Sequence, residues 1–397
     1  MQTDGCAPVC RVCLSVALVV LAMSSISHLS NSRPTACSTA ARPSDTYMAK
    51  WRSEAPALLR NVPAFSLAAS ALPWEKGDAK PRQPPRGTFL AFYYNYNRAR
   101  GFHKWVNYMR PYDLLIRPMA GRPLKLVEIG IQSGGSIYMW QELLAPDLHI
   151  FAMDINPAVE RFRDPTTAIT IGDQTDPVMW WDFFAHTTRG QVDILIDDGG
   201  HTPRQMLVTL ITAFDQVAKG GLHIIEDIHG PLYLDSMWVP AAGFLGSRAA
   251  SGQLASVHVF PYLLIAKKTG DSNAASSSLA FDGSSEVVRD FASLWSAIPK
   301  HYGGHVVLEN SDWGSFLSEQ ALAKFFEVFL DLHHYDTHLD PPGCAREVQR
   351  CSTVSSISPM QSVIKGVHIF PSRLVIEVLG ERQVIETTTQ GTEWLPY

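Results

Sequence analysis

Two apolar runs in this chain each end in carboxylates: Ile194-Leu-Ile-Asp-Asp-Gly-Gly-His201 and Leu222-His-Ile-Ile-Glu-Asp-Ile228. Each reads as a buried parallel strand that delivers acids to the edge of a sheet. The interval between them suits one strand-helix-strand crossover, so neighbouring strands would present Asp198, Glu226 and Asp227 together. Three carboxylates at one edge repel one another unless a cation sits between them, and an all-oxygen donor set selects a hard divalent ion such as Mg²⁺. His201 lies within reach of anything that ion holds, and with a reference pKa of about 6.5 it can accept a proton there.

A ligand-binding turn lies upstream. Leu124-Lys-Leu-Val-Glu-Ile-Gly130 has a strand pattern and runs into Ile131-Gln-Ser-Gly-Gly-Ser136, then a helical stretch from Ile137 to Leu144. Gly130, Gly134 and Gly135 remove side chains where a ligand must approach the backbone, and a helix start offers N–H groups. The spacing is not the dinucleotide G-x-G-x-x-G. Glu128, two positions before the first glycine, suits a ligand with a cationic amino-acid end better than a pyrophosphate. The next strand, His149 to Asp154, ends in an acid where a ribose diol would be gripped, and Ala168-Ile-Thr-Ile-Gly-Asp-Gln174 ends in Asp173 and Gln174. Any one of these strand ends is a weak signal; their order and period are the strong one.

Structural readings of the same residues stay open. Asp197 and Asp198 would also cap a helix beginning at Thr202-Pro203, although this leaves Glu226 and Asp227 unexplained. Glu128 would also pair with Lys125, and Asp154 and Asp173 would also serve as solvated loop acids.

The series E-I-G-x-x-x-G-G, D-I-N-P, G-D-Q-T-D, I-D-D-G-G-H and I-E-D-I-H resembles the class I S-adenosylmethionine-dependent methyltransferases, and most closely the metal-dependent sugar O-methyltransferases of macrolide biosynthesis. The resemblance covers roughly residues 90 to 235, and D-D-G-G-H with E-D downstream is its most specific part. It implies a doubly wound, mostly parallel Rossmann-like α/β sheet. It also implies that Glu128, Gly130, Ser136, Asp154, Asp173 and Gln174 surround S-adenosylmethionine, that Asp198, Glu226 and Asp227 hold Mg²⁺, and that His201 is the general base. Catechol-type methyltransferases have a similar acidic triad with lysine as the base, so the histidine favours the sugar-modifying branch. The chemistry agrees: a divalent cation stabilises the alkoxide that develops on a poorly nucleophilic hydroxyl, and a chelated diol aligns oxygen, methyl carbon and sulfur. The expected acceptor is a sugar or other diol-bearing small molecule. A phenolic diol is the alternative acceptor, and a noncatalytic glycan- or metabolite-binding protein on the same fold is the alternative from another class. A dehydrogenase is disfavoured by the missing dinucleotide fingerprint.

Composition fits an enzyme of this size. The 397 residues are 46% hydrophobic and carry a formal charge of −5 with no Lys/Arg run, which disfavours nucleic acid as a partner. Residues 1–45 read as a targeting segment: the apolar run Cys13 to Ile26 falls in the signal-peptide range and short of a comfortable span. Secretory entry is the leading expectation, by a cleaved peptide or a retained anchor that would associate residues 13–26 with a membrane. A transit peptide is the rival, because Cys6 to Pro43 is rich in serine and arginine and has no acid. Residues 46–90 read as a linker or stem, 91–270 as the methyltransferase domain, and 271–397 as a C-terminal elaboration.

Three further features stand out. An aromatic segment from Phe92 to Tyr112 fits helix packing, with a contribution to a lid as the alternative. Ala255 to Lys267 reads as the closing antiparallel pair of the sheet, and Gly366 to Glu377 is a near copy of it; one should complete the sheet and the other extend it or pair elsewhere. Cys344 and Cys351 are candidates for a disulfide, and Asp331 to His338 is a His/Asp cluster better explained as a solvated helix end than as a metal site. Oligomeric state is not legible.

Overall fold

The apolar runs become the centre of one sheet. The computed structural model describes residues 84–228, 233–270, 283–289, 293–294, 297–298, 303–309, 316–329, 364–378 and 387–395, all within the compact unit Lys50–Tyr397. Residues 1–45, the Asp331–His338 cluster and the Cys344/Cys351 pair lie outside the described residues. No described helix is long and apolar enough to cross a membrane.

In chain order the strands are β1 (Phe102–Trp105), β2 (Leu124–Ile129), β3 (Leu148–Asp154), β4 (Thr167–Ile171), β5 (Val192–Asp197), β6 (Val217–Ile225), β7 (Leu254–Phe260), β8 (Leu263–Lys268), β9 (Ser285–Val288), β10 (His305–Glu309), β11 (Ile364–Ile369), β12 (Arg373–Val378) and β13 (Thr387–Gln390). The helices used below are α1 (Phe89–Tyr94), α2 (Val106–Leu115), α3 (Gly135–Leu144), α4 (Pro177–Asp182), α5 (Pro203–Ala213), α6 (Val239–Ala250) and α7 (Glu319–Phe329). An eleven-stranded sheet has the order β4-β3-β2-β5-β6-β8-β7-β11-β12-β10-β9, and β1 pairs separately with β13. Strands β2, β3, β4, β5 and β6 are mutually parallel, and β8 runs antiparallel to β6. This is the expected doubly wound sheet. The order reverses direction between β2 and β5, so their carboxyl ends form the crevice where such sheets bind ligands.

Local chemistry sets the elements. Strands β2 and β5 are buried along nearly their whole length, which is why they read as continuous apolar runs rather than alternating ones. Helix α5 starts with a capping box: the Thr202 hydroxyl and Gln205 amide satisfy end groups reciprocally, with Pro203 in the first turn. Thr202 thus supplies the cap that was also open to Asp197 and Asp198. Helix α4 is capped by Asp176 ahead of Pro177.

The aromatic segment packs as α1, β1 and α2. Phe89, Tyr112 and Trp140 form a mutual cluster with ring centroids 5.5–5.7 Å apart, and each such buried ring contributes about 1.5–3 kcal/mol by burial. Core packing therefore brings α2 against the ends of the central strands. The hairpin β7–β8 completes the main sheet, and its near copy β11–β12 extends the same sheet beyond β7.

Candidate active site

The carboxyl ends of β2, β5 and β6 converge through backbone hydrogen bonds. Asp198 N–H donates to Ile129 O at 3.0 Å, and Glu226 N–H donates to Asp197 O at 2.9 Å. Gly130, at φ +78°, makes the closest approach: a Cβ there would collide with the Asp198 carbonyl. A glycine is required at this crossing both by φ and by space.

Oxygens of Asp198 and Asp227 and a ring nitrogen of His201 all lie within 4.8 Å of one another, on half-buried side chains. His201 Nε2 is 3.4 Å from Asp227 Oδ2 and 3.9 Å from Asp198 Oδ1. Tyr233 O–H donates to the His201 carbonyl at 3.0 Å and helps fix that loop. Asp227 has φ +56° and is clasped by Tyr108, whose hydroxyl donates to Asp227 Oδ1 at 2.6 Å and accepts from Asp227 N–H at 3.0 Å.

Glu226 is placed differently. It is 1% exposed and turned inward to Lys104, with Nζ–Oε distances of 2.9 and 3.0 Å, and to the Tyr112 hydroxyl. Lys104 Nζ also donates to Asp198 Oδ2 at 2.7 Å and lies 3.4 Å from Glu128 Oε1. Burial alone would lower the lysine pKa, but Asp198, Glu226 and Glu128 outweigh it and hold the ammonium well above its ordinary value. Burial, and then the neighbouring Asp198 charge, raises Glu226 well above the ordinary carboxylate range, and burial raises Asp198 as well. Burial and the adjacent acids also push the Tyr108 and Tyr112 phenols up, so both stay O–H donors.

One ammonium thus faces the carboxylates Glu128, Asp198 and Glu226, with Asp227 beside them. The surplus of carboxyl groups over cations and the hard oxygen donors fit a divalent cation held by Asp198 and Asp227 with His201 alongside.

Around the glycine turn, the predicted residues mostly support one another. Glu128 Oε2 accepts from Ser136 Oγ and Trp140 Nε1, each at 2.9 Å, so Glu128 and Ser136 are a buried pair, and Lys125 instead donates to the Thr188 carbonyl. Asp154 Oδ2 accepts from the N–H groups of Ile131 and Gln132 at 3.0 Å, tying the turn to β3. Asp173 is exposed and caps its own loop through Thr175. Gln174 is buried, donating to Asp197 Oδ1 at 3.0 Å and Thr209 Oγ1 at 3.0 Å while accepting from Gly200 N–H at 2.7 Å. It props the Asp-Asp-Gly-Gly-His loop from behind.

Two observations fit an adenosine-type ligand on this edge. The Gln132 side-chain nitrogen Nε2, at the turn, is buried with no hydrogen-bond partner among the described residues. Ile155, directly after Asp154, leaves an apolar side chain 71% exposed beside the crevice. The turn is also covered from above: Gly135 N–H donates to Gly101 O at 3.0 Å, and Leu395 N–H donates to Ser133 Oγ at 2.9 Å.

Lys104, Tyr108 and Tyr112 were not anticipated as site residues. They come from a segment whose sequence signal is aromatic packing, and no fixed spacing links them to acids roughly a hundred positions away.

The profile of a family described as a methyltransferase domain matches residues 127–228. The 8-demethyl-8-alpha-L-rhamnosyl tetracenomycin-C 2'-O-methyltransferase of Streptomyces olivaceus is 31% identical over 137 residues, covering 32% of this chain and 35% of that enzyme. The mycinamicin VI 2''-O-methyltransferase of Micromonospora griseorubida is 31% identical over 139 residues, 32% of each chain. The matched part thus spans about a third of the length of these curated relatives. Among solved structures, the MycE methyltransferase in complex with Mg, SAH and mycinamycin VI aligns with a TM-score of 0.37 and 23% identity over 42% of this chain and 50% of that one. Residues 127–228 thus match a methyltransferase-domain family, and over about a third of its length the chain is similar to these two O-methyltransferases.

Proposed function

We propose that the protein transfers a methyl group from S-adenosylmethionine to a hydroxyl of a sugar-bearing small molecule, with Mg²⁺ held by Asp198 and Asp227. The observation that carries this reading is the cluster of Asp198, His201 and Asp227 beside the glycine turn, in a neighbourhood with more carboxylates than Lys104 neutralises. A divalent ion held by Asp198 and Asp227 would supply Lewis acidity to an acceptor hydroxyl.

The chain's own residues do the remainder. His201 Nε2 takes the proton from the attacking hydroxyl, and the flanking Asp198 and Asp227 oxygens stabilise the imidazolium that results. Tyr108 fixes Asp227, and Lys104 fixes Asp198, so neither acid needs to reorganise as charge moves. The glycine turn, tied to Asp154, holds the cosubstrate edge at a constant distance from the acids. The sulfonium leaves without a protein acid, because transfer of its methyl group removes its positive charge.

Lys104 weighs against the phenolic-diol alternative with a lysine base. Its ammonium is locked among Asp198, Glu226 and Glu128 and is held charged, so it has no free lone pair with which to take a proton. Glu226, facing inward, serves in this reading as the counter-ion that positions Lys104.

The test is calorimetric titration of the protein with S-adenosylmethionine and with Mg²⁺, followed by a methyl-transfer assay on a panel of deoxysugar glycosides and catechols. Binding of both ligands with turnover on glycosides is expected. Failure to bind S-adenosylmethionine would end the reading.

A further inference from the structure

The copied hairpins belong to a larger repeat that the strand register exposes. His258 on β7 faces His368 on β11, with Val259 opposite Val367 and Val257 opposite Ile369. This exchange maps one hairpin onto the other about a local twofold at the two histidines. Outward from that seam, Leu264 to Lys267 pair with Ile225 to Leu222 on β6, while Leu374 to Glu377 pair with Leu308 to His305 on β10. The same register superposes Gly220-Gly221 on Gly303-Gly304 and Glu226 on Glu309, and Gly220 and Gly303 share φ values of +73° and +76°.

Farther out, β5 lies parallel to β6 and β9 lies parallel to β10, with Ile194–Asp197 matching Ser285–Val288. Helices α6 and α7 follow the matched strands and pack together, Trp238 and Phe326 with ring centroids 4.8 Å apart. Four strands and a helix thus recur with the same order, direction and register.

The second copy lacks the chemistry. Continuing the matched registers puts Arg289, Ala292 and Asn310 at the sequence positions of Asp198, His201 and Asp227. No counterpart of β2, β3 and β4 occurs among the described residues, so there is no second glycine turn in them.

What the second copy has instead is an acid of its own. Glu377, which corresponds to Lys267, is 4% exposed and takes a two-pronged ion pair from Arg110 on α2: Nη2–Oε1 2.5 Å and Nη1–Oε2 2.9 Å. Glu377 Oε2 is 3.3 Å from His368 Nε2, His368 Nδ1 is 2.9 Å from His258 Nδ1, and His258 Nε2 is 2.8 Å from Ser256 Oγ. The seam of the repeat is therefore connected by polar contacts to α2. Arg110 stands midway between Tyr108 and Tyr112, the two residues of α2 that grip Asp227 and Glu226, so the helix is held from two sides.

We infer that strands β9–β12 with helix α7 are a truncated, noncatalytic second copy of the β5–β8 half-domain, fused as a permanent sheet partner, and that Arg110 and Glu377 are positioning residues through which this copy holds α2 over the site. The link from α2 to metal binding rests on the function proposed above.

The test uses the full chain with Arg110→Gln, Glu377→Gln and the double variant. Backbone hydrogen exchange across residues 106–115 should accelerate about tenfold or more in either single variant, with no further change in the double, because both remove one shared interaction. Arg110 is partly exposed, so its replacement keeps the fold even if Glu377→Gln does not. Mg²⁺ affinity should weaken in parallel, by less than the roughly 10–100-fold typical of removing a group that directly supports a ligand. Unchanged protection of 106–115 in Arg110→Gln, or exchange in the double variant equal to the product of the singles, would overturn the inference. If the unmodified protein bound no Mg²⁺, the metal reading would fail, while the exchange comparison would still decide the clamp.

Discussion

The β5–β6 edge and the β9–β10 edge share a register, a Gly-Gly entry and a terminal glutamate, yet one gathers acids and the other does not. At the first edge, Asp198 and Asp227 meet His201, and Glu226 is buried against Lys104. At the second, Asp198's place is taken by Arg289, an exposed cation, and Asn310 stands at the sequence position of Asp227. The same frame therefore does not make a site. In the proposed reading, function enters where carboxyl groups outnumber internal cations, a property of side chains rather than of strand order.

The comparison can be broken most sharply at Asp198. Asp198→Ala should weaken Mg²⁺ binding by more than about a hundredfold and abolish measurable methyl transfer, while S-adenosylmethionine still binds. Next, His201→Ala should lower turnover by about 10²- to 10⁴-fold with Mg²⁺ affinity nearly unchanged, as measured by titration alongside single-turnover rates. A comparable loss of Mg²⁺ binding in that variant would make His201 a ligand rather than a base.

Lys104→Met probes the buried charge balance. It leaves Glu226 and Glu128 without their cation and should cost about 3–5 kcal/mol in denaturant unfolding of the metal-free protein.

The second edge has smaller effects. Glu377 is buried, which alone would raise its pKa, but the Arg110 and His368 contacts hold it well below the ordinary range. A depressed carboxyl contributes stability above its unfolded pKa of about 4.3 and loses it as pH falls toward the folded value. Unfolding followed from pH 6 down to about pH 2 should therefore show an acid-labile contribution of about 1–3 kcal/mol, discounted for the partly exposed arginine, that Glu377→Gln removes. Arg289→Asp should change least: it restores one acid without Asp227 or His201 equivalents and should add no cation site.

Much of the site was legible because strand ends carry type and order together. Glu128, Gly130, Asp154 and Asp198 fall at the ends of three parallel strands whose period alone places them at one edge, and the repeated Val-His-x-Phe-Pro hairpins announced two similar strand pairs. The direction in which a side chain turns was not legible. Gln174 and Glu226 have the same sequence appearance as outward-facing residues, but Gln174 turns inward to Asp197 and Glu226 to Lys104, contacts that tertiary packing decides. The longer repeat is not legible in the sequence because only short glycine and glutamate matches survive in β6 and β10, and the strand registers align them.

The most direct test is calorimetric titration of the full chain with Mg²⁺ at saturating S-adenosylmethionine. One Mg²⁺ site per chain that disappears in Asp198→Ala is the predicted result; two sites per chain, or binding that survives Asp198→Ala, would contradict it.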